Sequence, residues 1–161
     1  GYPGGPKIDQ AAKEGNPDAI EFPRGKIEGS PYDFSFSGLK SCVLNYINHA
    51  KMTGEEINVP DLAASFQHSV VDSLVSRTIA AAKEYGYRRV AIAGGVATNS
   101  ALRAGMKAAC RKAGLTLYYP SPIFCTDNAA MIGVAGYYEY KKGNISGWDL
   151  NAVPNLKLGE R

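Results

Sequence analysis

Residues 89–99, RVAIAGGVATN, decide the fold class of this chain. The first five residues form a short, mostly apolar run, and Gly94 and Gly95 end it. A short apolar run bounded by turn residues is typical of a buried strand in a parallel sheet. The stretch therefore predicts a strand over residues 89–93, followed by a tight turn.

The segments on either side of this strand continue an alternating pattern. Helical spacing predicts helices over residues 60–85, 98–112 and 127–142, and a second short strand is predicted over residues 115–119. Further upstream we predict helices over residues 6–14 and 39–50, and a strand over residues 32–37, where aromatic and polar residues alternate. The alternation of strands and helices predicts an α/β fold with a mostly parallel sheet flanked by helices.

Composition excludes several classes of protein. The chain has 161 residues, of which 45% are hydrophobic and 20% charged, so it is not a disordered tail. No apolar run approaches the roughly 20 residues that a membrane span requires. The net charge of +3 is too small to indicate nucleic acid by itself. Three widely spaced cysteines without a CxxC pair indicate reduced thiols, as in a cytoplasmic protein.

The turn after the predicted strand is the first candidate site. Gly94 and Gly95 lack a Cβ, so a ligand can approach their backbone closely. Their amides and the following helix start suit a phosphate or nucleotide, and the side chain of Asn99 can donate to and accept from an adenine edge or a ribose. The alternative is a tight turn in which Asn99 only caps the helix. The turn is not GxGxxG, so a Rossmann site is not indicated.

Asp127 is the second candidate, because it stands where the last helix begins, after a loop over residues 120–126. Ligands of open parallel sheets bind at the carboxyl ends of the strands, where this loop and the loop over residues 94–98 both lie. Asp127 is either the cap of the helix or a carboxylate that ligates a metal or orients a phosphate.

The amino-terminal segment YPGGP, residues 2–6, is the third candidate together with Asp9. Its glycines, Gly5 among them, can admit a ligand, and Asp9 can accept hydrogen bonds from ribose hydroxyls. The alternative is a solvent-exposed turn followed by an aspartate that favours the helix dipole.

Five blocks occur in one order: YPGGPKID, FSFSGLKS, ASFQ, AGGVATNSALR and FCTDNAAMIG. Together they closely resemble the carboxyl-terminal half of the TsaD family of tRNA threonylcarbamoyladenosine biosynthesis proteins, once labelled O-sialoglycoprotein endopeptidases. The resemblance implies an actin-like (ASKHA, sugar-kinase-like) fold of two α/β lobes. Residues 1–148 would be the carboxyl-terminal lobe, and residues 149–161 an extended tail.

The resemblance also implies an activity. Members transfer threonylcarbamoyl from threonylcarbamoyl-adenylate to the exocyclic amine of the adenosine beside the tRNA anticodon. They use a divalent metal, iron or zinc, and in bacteria they work with a TsaB-like paralogue and a TsaE-like ATPase. By motif, Gly5, Asp9 and Asn99 would contact the adenylate, and Asp127 would be the metal ligand that this lobe donates.

The family's other metal ligands lie in an HxxxH motif, which these 161 residues lack. We therefore expect no catalytic residue in this chain, weak or no metal binding, and no activity of the chain alone. The chain begins in what reads as the middle of a loop, so we expect a piece that misses its amino-terminal lobe.

Three alternatives stay open. The first is a stand-alone binding module whose exposed apolar face would make it a homodimer. The second is the lobe of a generic actin-like ATPase or sugar kinase. The third is a protease, for which the sequence offers neither a nucleophile–base pair nor a complete metal site.

Overall fold

A computed structural model describes residues 3–157 of the chain. It divides into two compact units, Gly1–Thr126 and Asp127–Arg161, and each unit is described by itself. No helix among residues 3–157 is both long enough and apolar enough to span a bilayer. The predicted boundary between a lobe ending at residue 148 and a tail at residues 149–161 stays a prediction.

Over residues 3–126 the first unit contains four α-helices and a parallel pair of strands. In chain order the elements are α1 (Gly4–Ala12), α2 (Ser37–Thr53), α3 (Val59–Glu84), β1 (Arg89–Ala91), a 3-10 helix (Gly95–Thr98), α4 (Ser100–Ala113), β2 (Thr116–Tyr118) and a second 3-10 helix (Pro122–Phe124). The strands pair with Arg89 opposite Thr116 and Ala91 opposite Tyr118. A crossover through α4 joins them, as a parallel pair requires.

The core of this unit lies where α3 and α4 meet the sheet. Its buried members come from α3, β1 and α4: Ala82, Val90, Leu102, Met106 and Cys110. Gly105 favours close approach of the two helices, because a Cβ there would lie 3.2 Å from Cγ1 of Val71, a tight contact. The predicted parallel sheet flanked by helices is therefore confirmed.

The second unit is built around α5 (Ala129–Lys141). The side chain of Asn128 caps the helix by accepting a hydrogen bond from the backbone N–H of Met131 at 3.1 Å. No residue of α5 is buried, although its sequence is rich in apolar and aromatic residues. Residues 142–157 form turns and loops without a helix or strand.

One local prediction is wrong, and the capping alternative for Asp127 is excluded. Residues 32–37 form a loop rather than a strand, and α2 already begins at Ser37. The alternating rings find partners without a sheet: Phe34 stacks on Phe36 with centroids 6.3 Å apart, and the guanidinium of Arg77 lies 5.9 Å from the centroid of Phe34. Asp127 does not cap the last helix, because its neighbour Asn128 does.

Candidate functional site

Two loops leave the same edge of the parallel pair. The first rim loop, residues 92–99, follows β1, and the second rim loop, residues 119–126, follows β2. They approach each other, since a Cβ on Gly95 would lie 3.9 Å from Cγ2 of Thr126. Gly94 turns the first loop with φ 84° and ψ 172°, a conformation that essentially only glycine adopts. The expected pair of loops at one edge is therefore present.

Both the oxygen and the nitrogen of the Asn99 side-chain amide form hydrogen bonds. Its Oδ1 accepts from the backbone N–H of Leu102 at 2.9 Å, so Asn99 caps α4. Its Nδ2 donates to Oδ1 of Asp9 at 3.2 Å and to Oε1 of Gln67 at 2.7 Å. An asparagine amide has two N–H donors, and both are used inside the protein.

Asp9 projects from α1 to the amino-terminal end of α4. Its Oδ1 accepts from the hydroxyl of Ser100 at 2.8 Å, and its Oδ2 accepts from the backbone N–H of Ser100 at 3.3 Å. A carboxylate is favourable at this end of a helix, because the first N–H groups are free and the dipole is positive there. Asp9, Gln67, Asn99 and Ser100 thus form one polar clasp between α1, α3 and α4.

The polar clasp changes where an anion can bind. The sequence favours the start of α4 as a phosphate position, but the carboxylate of Asp9 and the side chain of Asn99 already occupy two of its first N–H groups. A phosphate placed there would meet a negative charge at close range. The turn at Gly94 and Gly95 is the other backbone segment that the sequence offers for an anionic group.

A small cavity of about 140 Å³ lies beside the polar clasp. Gly5 and Asn99 both line it, together with Gln67 and apolar side chains of α1, α3 and the first rim loop. It is smaller than the roughly 300–1,000 Å³ of typical ligand pockets, so by itself it is too small for a whole nucleotide. Two of the predicted site residues, Gly5 and Asn99, therefore share this cavity, and the third, Asp9, is joined to them by its hydrogen bond with Asn99.

Asp127 belongs to the second unit and is exposed. Within residues 3–157, no group of three or more His, Cys, Asp and Glu side chains is arranged to hold a metal ion. A lone carboxylate does not fit a tight transition-metal site, which needs several donors in a set geometry. The ligand role of Asp127 stays a prediction that requires donors from elsewhere.

Two members of the polar clasp were missed by sequence reasoning. Gln67 ends the ASFQ block, and that block is the only signal that the sequence gives for it. Ser100 follows Asn99 directly and looks like an ordinary first helical residue. Their contacts with Asn99 and Asp9 join residues that are distant in sequence, so no local spacing reveals them.

Two side chains outside the clasp have shifted pKa values. A hydrogen bond to Glu84, aided by desolvation and the charge of Glu84, raises the pKa of Tyr32 from 10.0 to about 12. Burial raises the pKa of the Cys110 thiol, so Cys110 is an inert core residue rather than a nucleophile.

These features define an α/β lobe with a candidate ligand edge at the carboxyl ends of its strands. A family model described as TsaD, tRNA N6-adenosine threonylcarbamoyltransferase, matches residues 1–134. The chain therefore belongs to the TsaD family, whose fold is actin-like.

Curated relatives match along the whole chain. A tRNA N6-adenosine threonylcarbamoyltransferase of Clostridium beijerinckii is 56% identical over 161 residues, which are 100% of this chain and 48% of that relative. Proteins of the same name from Clostridium botulinum (strain Kyoto / Type A2) and Clostridium kluyveri are 58% and 56% identical, and 47% and 48% of their lengths are covered. The chain spans about half the length of these relatives.

Proposed function

We propose that this chain is the carboxyl-terminal half of a tRNA adenosine threonylcarbamoyltransferase. The observation that carries the proposal is that Gly5 and Asn99 line one cavity and that Asp9 accepts a hydrogen bond from Asn99, in a chain that belongs to the TsaD family. The full-length protein is here called the whole enzyme. It transfers threonylcarbamoyl from threonylcarbamoyl-adenylate to the adenosine adjacent to the tRNA anticodon.

The reaction needs orientation more than a nucleophile from the protein. The exocyclic nitrogen of adenosine attacks the carbamoyl carbon, the bond from that carbon to the adenylate phosphate oxygen breaks, AMP leaves, and the nitrogen loses a proton. An aromatic amine is a weak nucleophile, so holding the acyl carbon in line with it supplies much of the rate. The chain contributes this positioning and no catalytic residue.

Each candidate residue has a proposed part. The missing Cβ of Gly5 leaves space for part of the nucleoside, and the turn at Gly94 and Gly95 offers backbone N–H groups to the phosphate. Asp9 has one carboxylate lone-pair site beyond its three bonds for a ribose hydroxyl. Asn99 contacts the ligand through the second lone pair of Oδ1, because its donors are already engaged.

We assign most ligands of the metal to the other half of the whole enzyme. Bound iron or zinc would polarise the acyl adenylate, and Asp127 would supply one ligand from this chain. The proposal also includes the partners of the family: tRNA, a TsaB-like paralogue, a TsaE-like ATPase and the amino-terminal lobe. It includes a cytoplasmic localisation, where tRNA is modified.

The test compares the whole enzyme with the chain alone. We expect the whole enzyme, given threonylcarbamoyl-adenylate and tRNA, to form threonylcarbamoyladenosine, detected by mass spectrometry of digested tRNA. The chain alone should form none. Calorimetry with a stable threonylcarbamoyl-adenylate analogue and with ATP separates the alternatives, because a preference for ATP would favour a generic actin-like ATPase and contradict the proposal.

A homodimerising module is the second candidate, and one observation favours it. Within its own unit α5 buries none of its residues, and large apolar side chains such as Ile132, Val134 and Tyr138 are exposed. Exposed apolar side chains on one helix favour association when they form a common surface. Light scattering of the chain decides the question, since a strict monomer over a wide concentration range would exclude a homodimer.

A further inference from the structure

Arg103, the last residue of the AGGVATNSALR block, connects the two rim loops. Its Nε donates to the backbone carbonyl of Ala97 in the first rim loop. Its Nη2 donates to the carbonyl of Pro120 at 2.9 Å and to Sγ of Cys125 at 3.2 Å, both in the second rim loop. The guanidinium carbon also lies 4.8 Å from the ring centroid of Tyr119.

The chemistry of the guanidinium suits a connection between loops. Its donors point in fixed directions within one plane, so a single side chain can bind two separate carbonyls at once, whereas an ammonium group is one compact point of charge. Among residues 3–157 no carboxylate pairs with Arg103. Its positive charge therefore interacts with the backbone carbonyls of the two rim loops, and these interactions stabilise the loops.

Two of the residues that Arg103 contacts are buried. Ala97 is 2% exposed and Cys125 is 3% exposed. The thiol of Cys125 also donates to the carbonyl of Ser121 at 3.6 Å, which closes the second rim loop on itself. Movement of one loop relative to the other would therefore break several contacts together.

We propose that Arg103 is a positioning residue that holds the two rim loops in register, so that both face the same adenylate. This rests on the proposed function, because the ligand of the edge is the adenylate assigned there. Arg103 itself touches the loops and not the ligand. Its loss separates the turn at Gly94 and Gly95 from the second rim loop and leaves the helices in place.

The experiment uses the whole enzyme with Arg103→Ala, Arg103→Lys and the matched control Arg111→Ala, which removes an exposed arginine of the same helix. Calorimetry with the stable threonylcarbamoyl-adenylate analogue measures binding. We expect binding about tenfold weaker for Arg103→Ala, a loss of ~1.4 kcal/mol, and unchanged binding for Arg111→Ala. The affinity of Arg103→Lys should lie between those of wild type and Arg103→Ala, because lysine keeps the positive charge but lacks the planar set of N–H donors of a guanidinium.

Hydrogen exchange in the absence of ligand tests the loops directly. In Arg103→Ala, exchange should rise at the N–H groups of Ala97 and Cys125, in separate loops, and stay as in wild type in the middle of α3. Labelling with a thiol reagent, read peptide by peptide, should become faster at Cys125. Cys42, which is exposed, should react equally in every variant.

The outcomes separate this inference from the proposed function. Unchanged exchange and labelling in both rim loops would overturn the inference, whatever the ligand does. A wild-type enzyme that does not bind the analogue would contradict the proposed function, while exchange and labelling would still decide whether Arg103 holds the loops. If Arg103→Ala fails to fold, Arg103→Lys decides: wild-type binding together with wild-type exchange would overturn the inference.

Discussion

Asn99 and Asp9 lie 90 positions apart in the chain, and Nδ2 of Asn99 donates to Oδ1 of Asp9 across 3.2 Å. This bond joins the start of α4 to the short helix α1, which otherwise rests on α3. Asn99 therefore has two separable tasks, the cap of α4 and the bond to α1.

Substitutions at Asn99 should separate these two tasks. Serine is as good a cap as asparagine but cannot reach Asp9 and Gln67 with an amide, and alanine does neither. We expect Asn99→Ala to lower the free energy of unfolding of the chain by about 1–3 kcal/mol and Asn99→Ser by about 1 kcal/mol less than that. Urea unfolding followed by circular dichroism measures both, and equal losses would show that capping contributes nothing.

Gly5→Ala should damage binding and spare the fold. An added Cβ at Gly5 would meet no protein atom within 4 Å, and alanine favours a helix by up to about 1 kcal/mol over glycine. Gly5 lines the cavity, however, so we expect a methyl group there to reduce the space for the ligand and to weaken binding of the analogue to the whole enzyme roughly tenfold. Gly4→Ala, which also has open space but does not line this cavity, is the control. Equal binding by both variants would remove Gly5 from the site.

Gly94→Ala should destabilise the chain, and Gly95→Ala should not. Gly94 has φ 84° and ψ 172°, where a side chain costs about 1–3 kcal/mol. Gly95 has no positive φ, and its added Cβ would make only an ordinary contact at 3.9 Å. Thermal unfolding of the two variants makes the comparison, and similar midpoints would mean that the turn at Gly94 adapts without strain.

Asp127→Asn should lower the metal content of the whole enzyme without lowering its stability. Asparagine removes the charge that a cation requires, and the cap of α5 is untouched because Asn128 provides it. Elemental analysis of purified protein gives the metal-to-protein ratio, and Asp149→Asn, an exposed aspartate of the same unit, is the control. A ratio equal to that of wild type would end the assignment of Asp127 as a ligand.

Alkaline pH should destabilise the chain through Tyr32. Its pKa is raised to about 12 by the hydrogen bond to Glu84, so the folded chain keeps a proton that the unfolded chain loses at about pH 10. The stabilising contribution is complete below pH 10 and is lost as the pH rises from 10 to 12. Urea unfolding across this interval should show a steeper decline for wild type and Tyr87→Phe than for Tyr32→Phe. Parallel curves for all three would contradict the shift.

Local patterns predicted most of the helices and both strands of the parallel pair. The spacing of apolar residues predicted α3 and α4, because a helix that is buried on one face has apolar residues at regular intervals. The apolar run before Gly94 predicted β1. The same reasoning failed at Phe34 and Phe36, since alternation does not reveal whether a partner strand exists. It also missed the cap of α5 by one residue, because Asp127 and Asn128 are both good capping residues.

The candidate site was predictable only in part. Gly5, Asp9 and Asn99 were suggested by sequence blocks, and the structure brings them together. Gln67 and Arg103 act through contacts between separate elements, and such contacts depend on how α1, α3 and the rim loops pack. The occupied amino-terminal end of α4 could not be foreseen either, because the carboxylate that fills it comes from another helix.

The two carbonyls that Arg103 binds, those of Ala97 and Pro120, belong to the main chain, which every amino acid shares. A change of side chain at exposed positions of the second rim loop, such as Ile123 and Phe124, therefore removes neither of these two acceptors. The exposed side chains at this edge of the sheet can therefore change during evolution while the backbone of the two rim loops keeps its position.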